Sequence, residues 1–196
     1  MKTPALPPDE ARRLDTLRSL GVLDTPPSEE LDRITRLASR LFRTPMSAIS
    51  LIDADRQWFK SSVGIAASEI ERAVSFCGHT ILQEEPLVVS DATTDPRFAG
   101  NPFVTDAPQI RAYAGQTICS RDGHALGALC VIDHRPRHFT VEDLETLRDL
   151  AALVERQFHD LEVRREAALL RQGYEAASAQ FESVFDQAGV GMATVG

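Results

Sequence analysis

With 196 residues, the chain has room for one domain of roughly 100–200 residues and an appendage, and its 43% hydrophobic and 26% charged content excludes a disordered or membrane-embedded class. A net charge of −8, with Lys and Arg scattered among acids, argues against direct nucleic-acid binding. No apolar run approaches the ~18 residues of a membrane span, and the opening MKTPALPPDEARRL lacks the apolar stretch of a secretory signal, so this segment is expected to be cytoplasmic.

Ala11, Leu14, Leu17 and Leu20 recur with helical spacing over Asp9 to Leu20, after Pro7 and Pro8, and Gly21 closes that first helix. After the turn Asp24-Thr25-Pro26-Pro27, Ser28 is a candidate N-cap and Glu29 and Glu30 suit the positive helix end. Leu31, Ile34, Leu37, Ala38 and Leu41 then form the expected apolar face of a second helix reaching about Phe42. The run Met46 to Asp53 is apolar and β-branched, and Gln57 to Val63 alternates, so the two form a predicted hairpin with Trp58 in the core. Phe76 to Gln83 reads as a short helix and Pro86 to Ser90 as a brief strand. The segment from Asp91 to Ile110 is a long loop of the kind that often carries binding residues. Ala112 to Cys119 and Leu126 to Ile132 are strands joined around Asp122-Gly123, a dipeptide suited to a tight hairpin turn. Cys119 and Cys130 lie in these apolar runs and read as small buried hydrophobes. With Cys77 they make an odd number of cysteines, and none has metal-binding spacing.

From Thr140, paired with Asp143 in an acidic capping box, a long helix is predicted. Its residues Leu144, Leu147, Ala151, Val154, Phe158 and Leu161 follow the 3-4 rhythm of a coiled-coil seam. A second seam, Val163, Ala167, Leu170, Tyr174, Ala177, Phe181 and Val184, keeps that rhythm in a shifted phase, with the break near Glu162 to Arg165. The first half can instead pack on its own domain. The second half has no surface of its own to cover, so an identical helix is the expected partner, making the chain a homodimer of unassigned parallel or antiparallel sense.

The element order predicts an α+β domain: a central antiparallel sheet flanked by helices, with a long C-terminal helix. At Ile49-Ser50-Leu51-Ile52-Asp53 with Gln57-Trp58-Phe59-Lys60-Ser61, Ser75-Phe76-Cys77-Gly78-His79-Thr80, Val89-Ser90-Asp91-Ala92-Thr93-Thr94-Asp95-Pro96-Arg97-Phe98 and Gly127-Ala128-Leu129-Cys130-Val131-Ile132-Asp133, the chain closely resembles bacterial GAF domains. The subgroup it resembles is the amino-terminal GAF domain of sensor histidine kinases and diguanylate cyclases. Phe181 to Ala193 resembles the opening of a PAS domain. The resemblance implies an N-terminal helix and turn over residues 1–26, a GAF domain over 27–161, a linker helix over 140–180 and the start of a PAS domain over 181–196. It also implies downstream PAS and output domains in the same polypeptide.

By that resemblance, a small ligand lies between one sheet face and the elements at Phe76–Gln83 and Asp91–Tyr113. The candidates are Cys77, His79, Asp91, Asp95, Arg97, Phe98, Asn101, Arg111 and Tyr113. Several have structural readings: Asp91 as a cap for loop amides, Asp95 and Arg97 as a mutual clamp, and His79 as a hydrogen-bonded interior residue. Arg111 and Tyr113 are favoured for anion or aromatic contact. The Asn-Lys-Phe-Asp-Glu constellation of cyclic-nucleotide GAF domains is not found in order, and no Cys-His pair is present for a bilin. A haem would have only His79 as a well-placed axial ligand. Free methionine-R-sulfoxide reductase, also built on this fold, needs an attacking cysteine in the later loop, where Asn101 to Asp106 offers none. No cofactor or metal is required by the sequence, and no catalytic residue is assigned. The expected function is regulatory, namely ligand or redox sensing transmitted through a dimeric helix; the alternative is a ligand-free dimerisation module.

Overall fold

The structure, a computed structural model, describes residues 1–192, with side chains through Gln180. In chain order the elements are α1 (Glu10–Ser19), α2 (Glu29–Phe42), β1 (Met46–Ile52), β2 (Arg56–Val63), β3 (Glu69–Glu71), α3 (Phe76–Thr80), β4 (Leu87–Val89), α4 (Pro102–Thr105), β5 (Ala112–Cys119), β6 (Ala125–Asp133) and α5 (Val141–Met192). The strands form a single antiparallel sheet in the order β3-β2-β1-β6-β5-β4. This is the α+β architecture expected from the sequence. The short strand β3, the 3-10 turn at Arg72–Val74 and the single turn α4 were not predicted; they are too short for periodicity to register.

Both faces of the sheet are covered, so every residue of β1 is buried. Ile49, Leu51, Ala112, Ala114, Leu129 and Val131 face a core shared with α1, α2 and α5. Met46, Ala48, Tyr113, Ala128, Cys130 and Ile132 face the opposite layer, built from α3, α4 and the 91–110 segment. The two layers alternate along each strand because successive β side chains point to opposite sides. Strands β1 and β6 approach so closely that a β-carbon on Gly127 would stand 1.9 Å from the Ser50 carbonyl oxygen.

Helix α1 is fastened by charge as well as by Leu17 and Leu20. Fully buried Arg13 donates to the Ile52 carbonyl at 2.7 Å and, through Nε, to Glu10 at 2.8 Å; Arg72 donates to the same carboxylate at 2.5 Å. Arg13 takes the inward position, and Ala11, expected on the apolar face, is exposed. Helix α2 is rotated from its expected face in a similar way. It buries Leu31, Thr35, Ala38 and Phe42, leaving Leu37 and Leu41 at 42% and 53% exposure. Thr35 can turn inward because its hydroxyl bonds to Leu31 O and Ser61, while its carbonyl accepts from Ser47.

The capping box of α5 forms as predicted: Thr140 Oγ1 accepts from Asp143 N at 3.1 Å, and the Asp143 carboxylate accepts from Thr140 N at 2.8 Å. The seam assigned to the first half of α5 is corrected. Leu147, Ala151, Val154 and Phe158 are buried with Leu150 in the core of their own domain, and Leu144 packs against it. Burying each large apolar side chain is worth about 1.5–3 kcal/mol, and these residues gain it without a partner chain, so they present no free dimer seam. Contacts divide the described residues into Met1–His159 and a second unit that begins at Asp160. In the second unit, Leu161, Leu170 and Tyr174 are 41%, 76% and 77% exposed, and Ala177 is also exposed. The Phe181 side chain, Val184 and the expected PAS start lie outside the residues with described side chains. Among the described residues no helix is long and apolar enough to cross a membrane.

Candidate functional site: a cavity beneath the sheet

On the sheet face opposite α2 and α5, side chains leave a cavity of about 370 Å³. Met46 and Ile132 form its sheet wall; Phe59, Ile70, Phe103 and Ile110 close its sides, and Ala66, Ala67 and Pro108 also contribute to its lining. The alternation of β2 puts Gln57 and Phe59 here because Trp58, between them, fills the opposite core. Polar lining side chains are few, chiefly Gln57, Cys77 and Tyr113, and no charged residue lines the cavity. Such a site suits an uncharged, mostly apolar molecule with one or two hydrogen-bonding groups.

The polar groups belong to one buried network. Ser75 caps α3, accepting from Gly78 N at 2.7 Å, and its hydroxyl donates to Gln57 Oε1. The next turn brings the Cys77 Sγ to 3.7 Å from Cys130 Sγ on β6. Tyr113, fully buried on β5, donates its hydroxyl to Cys77 Sγ at 3.3 Å and lies 2.6 Å from Thr80 Oγ1. The hydrogen bond shared with Cys130 is the largest influence on the Cys77 thiol; with those involving Ser50, Tyr113 and Gln57 it outweighs burial and draws the thiol below its ordinary value. Cys130, bonded to Cys77 and itself buried, is pushed well above. Burial, with the charge of a Cys77 thiolate beside it, pushes Tyr113 up, so it stays a donor.

Of the nine residues the sequence nominated, Cys77 and Tyr113 line the cavity and the other seven do not. Phe98 lies one layer behind, stacked on Phe76 at 4.0 Å between ring centroids. His79 is half-buried, and burial lowers its pKa; its Nε2 meets the Lys2 carbonyl at 2.9 Å, holding the N-terminal segment over α3. His79 does not line the cavity, so a molecule held there would not meet its imidazole. Asp91 accepts from Thr93 N and Oγ1 in a local turn, and Asp95 holds Arg97 in a two-pronged pair at 3.0 and 2.6 Å. These are the structural roles that the sequence offered as alternatives. Asn101 caps α4, accepting from Phe103 N at 2.9 Å, and ties it to Val74 O. Arg111, favoured as an anion contact, spends its guanidinium on Val104 O and Ile110 O at 2.9 and 3.1 Å.

Sequence reasoning missed Gln57, Phe59, Phe103 and Ile110. For Gln57 the alternation that sends Trp58 into one core only places it on the other face, and the second layer is what makes that face a cavity wall. For Phe103 and Ile110 there was no signal, because the folding of the 91–110 segment decides where they point. Among the described residues no group of three His, Cys, Asp or Glu side chains is placed to share a metal ion.

Residues 26–158 match the family model described as GAF domain. A cyclic di-GMP phosphodiesterase of Pseudomonas aeruginosa is 41% identical over 162 residues, which are 82% of this chain and 28% of that protein. The chain thus spans less than a third of that relative's length. The blue-light absorbing PixJ GAF domain of Thermosynechococcus elongatus superposes with a TM-score of 0.59 at 13% identity, covering 86% of this chain and 98% of that one. The substrate complex of free methionine-R-sulfoxide reductase from Neisseria meningitidis superposes with a TM-score of 0.56 at 18% identity, covering 82% and 98%. At such identities the likeness shows the fold alone.

Proposed function

The chain belongs to the GAF domain family, a regulatory sensory fold, and from that premise we propose that it is the sensory head of a longer signalling protein, taking an uncharged, mostly apolar small molecule into the cavity beneath the sheet. The observation that carries this reading is the lining: about 370 Å³ stays open among Phe59, Phe103 and Ile132, where larger packing would close it, and no cation is present to hold a phosphate. Gln57, Cys77 and Tyr113 orient the ligand.

The response passes from α3 and the 91–110 segment through the sheet to the buried face of α5, and along that helix toward the segment read as a PAS start. A second copy of the same helix covers Leu161, Leu170, Tyr174 and Ala177, and two arrangements of that pair bias the output. The subgroup resemblance points to a histidine kinase or diguanylate cyclase as output. The name of the Pseudomonas relative favours an output that hydrolyses cyclic di-GMP. In this reading the chain regulates and does not itself catalyse.

Native mass spectrometry of the chain purified from its own cells tests the proposal. The expected result is a non-covalent mass that disappears in Ala67→Trp, which closes the cavity rim. A protein that emerges empty and leaves the neutral dye Nile red dark would instead be a ligand-free dimerisation module.

A further inference from the structure

Fifty-three positions separate Cys77 from Cys130 in the chain, yet the fold sets their sulfurs 3.7 Å apart in a buried layer. Cys77 also lines the cavity, and Cys130 does not. Two neighbouring thiols, one facing a space that admits small molecules and one behind it, form the arrangement of an attacking and a resolving cysteine. We propose that Cys77 and Cys130 are a hydroperoxide-responsive dithiol that closes to an intramolecular disulfide across the wall of the cavity.

The chemistry balances with a hydroperoxide as the named oxidant. The Cys77 thiolate attacks the outer peroxide oxygen; the O–O bond breaks, the leaving alkoxide takes a proton to become an alcohol, and Cys77 carries a sulfenic acid. Cys130 then attacks that sulfur; the S–O bond breaks and water leaves with the Cys130 proton. Two thiols lose two electrons, and the peroxide becomes one alcohol and one water. A dithiol reductant of the cell reverses the change by thiol exchange.

Local groups suit each step. Tyr113 donates to Cys77 Sγ at 3.3 Å and stabilises the thiolate, whereas Cys130 keeps its proton until the second step. The sulfurs must approach from 3.7 Å to roughly 2.05 Å, a movement within reach of side-chain rotation and a small shift of α3. Cys119, half-buried at the far end of β5 with its amide on Glu155, stands apart as an internal control. The new bond would tie α3 to β6, so peroxide would reshape the cavity wall whether or not a ligand binds there.

The reduced 196-residue chain, treated with one equivalent of hydrogen peroxide, then denatured and alkylated, is expected to fall from three free thiols to one. Non-reduced peptide mapping should join Cys77 to Cys130 and leave Cys119 alkylated. Persistence of both thiols, or oxidation confined to Cys119 or to bonds between chains, overturns the proposal. In Cys130→Ala, dimedone should label Cys77; in Cys77→Ala, Cys130 should stay reduced. Equal oxidation of Cys130 without Cys77 overturns the assigned order. The wild-type map decides the pairing without any variant, and because it reads thiols alone it is independent of the ligand experiment above.

Discussion

The Tyr113 hydroxyl stands 2.1 Å from where a β-carbon on Gly115 would be, so the ring lies along its own strand over a residue that has no side chain. Gly115 pairs with Cys130 on β6, and the ring is thereby carried toward both thiols. A glycine at 115 is what allows the phenol to reach Cys77 and Thr80.

Gly115→Ala is expected to push the ring out of that groove. The overpacking should cost about 1–3 kcal/mol in urea unfolding, and loss of the phenol's hydrogen bond should raise the Cys77 thiol pKa. The variant Tyr113→Phe separates the two effects, keeping the ring and removing the donor at a cost of about 1 kcal/mol. The pH dependence of Cys77 alkylation in a Cys119→Ser background reads the shift. An unchanged profile in both variants would show that the phenol does not tune the thiol.

Glu10 predicts an acid limb in stability. Burial acts to raise its pKa, but hydrogen bonds and charge from Arg13 and Arg72 together bring it down to about 2 from 4.5. A carboxylate depressed in the folded state contributes stability above its unfolded pKa and loses it as pH falls from about 4.5 toward about 2. Discounted for solvent screening, that contribution is about 1–2 kcal/mol. Urea midpoints at pH 7 and pH 3 should differ less in Glu10→Gln than in the wild type. At pH 7 the variant should itself be less stable, because Arg13 would remain buried with a weaker partner. Parallel midpoints would remove Glu10 as the cause.

The two halves of α5 should respond differently to truncation. Phe158→Ala and Leu147→Ala should cost about 3–5 and 2–5 kcal/mol in unfolding free energy, independently of protein concentration. Leu170→Ala and Tyr174→Ala should leave the melting of the folded domain unchanged and weaken self-association in sedimentation equilibrium. A chain that sediments as a monomer at every concentration would remove the dimeric helix from the proposed function.

The redrawn site makes an opposite pair of expectations for ligand retention. His79→Gln and Arg111→Ala, which change residues bonded to backbone carbonyls, should leave the co-purifying mass in place. Phe59→Ala and Phe103→Ala, which strip the cavity wall, should lose it. Loss in the first pair with retention in the second would move the site to the rim of the 91–110 segment.

Local chemistry was enough to predict the scaffold from sequence. Strand alternation, the Asp122-Gly123 turn and the Thr140-Asp143 cap each act within a few residues, and the antiparallel sheet and the start of α5 follow from them. Tertiary structure decided which side of an element faces inward when two choices were close. Thr35 displaced Leu37 from the buried face of α2 because neighbouring hydrogen bonds satisfied its hydroxyl. The heptad stripe of α5 was real, but periodicity reports that a face is apolar and not what covers it; the sheet covers Leu147, Val154 and Phe158. The cavity and the meeting of Cys77 with Cys130 are furthest from the sequence, because both depend on how segments far apart in the chain fill, or fail to fill, the same space.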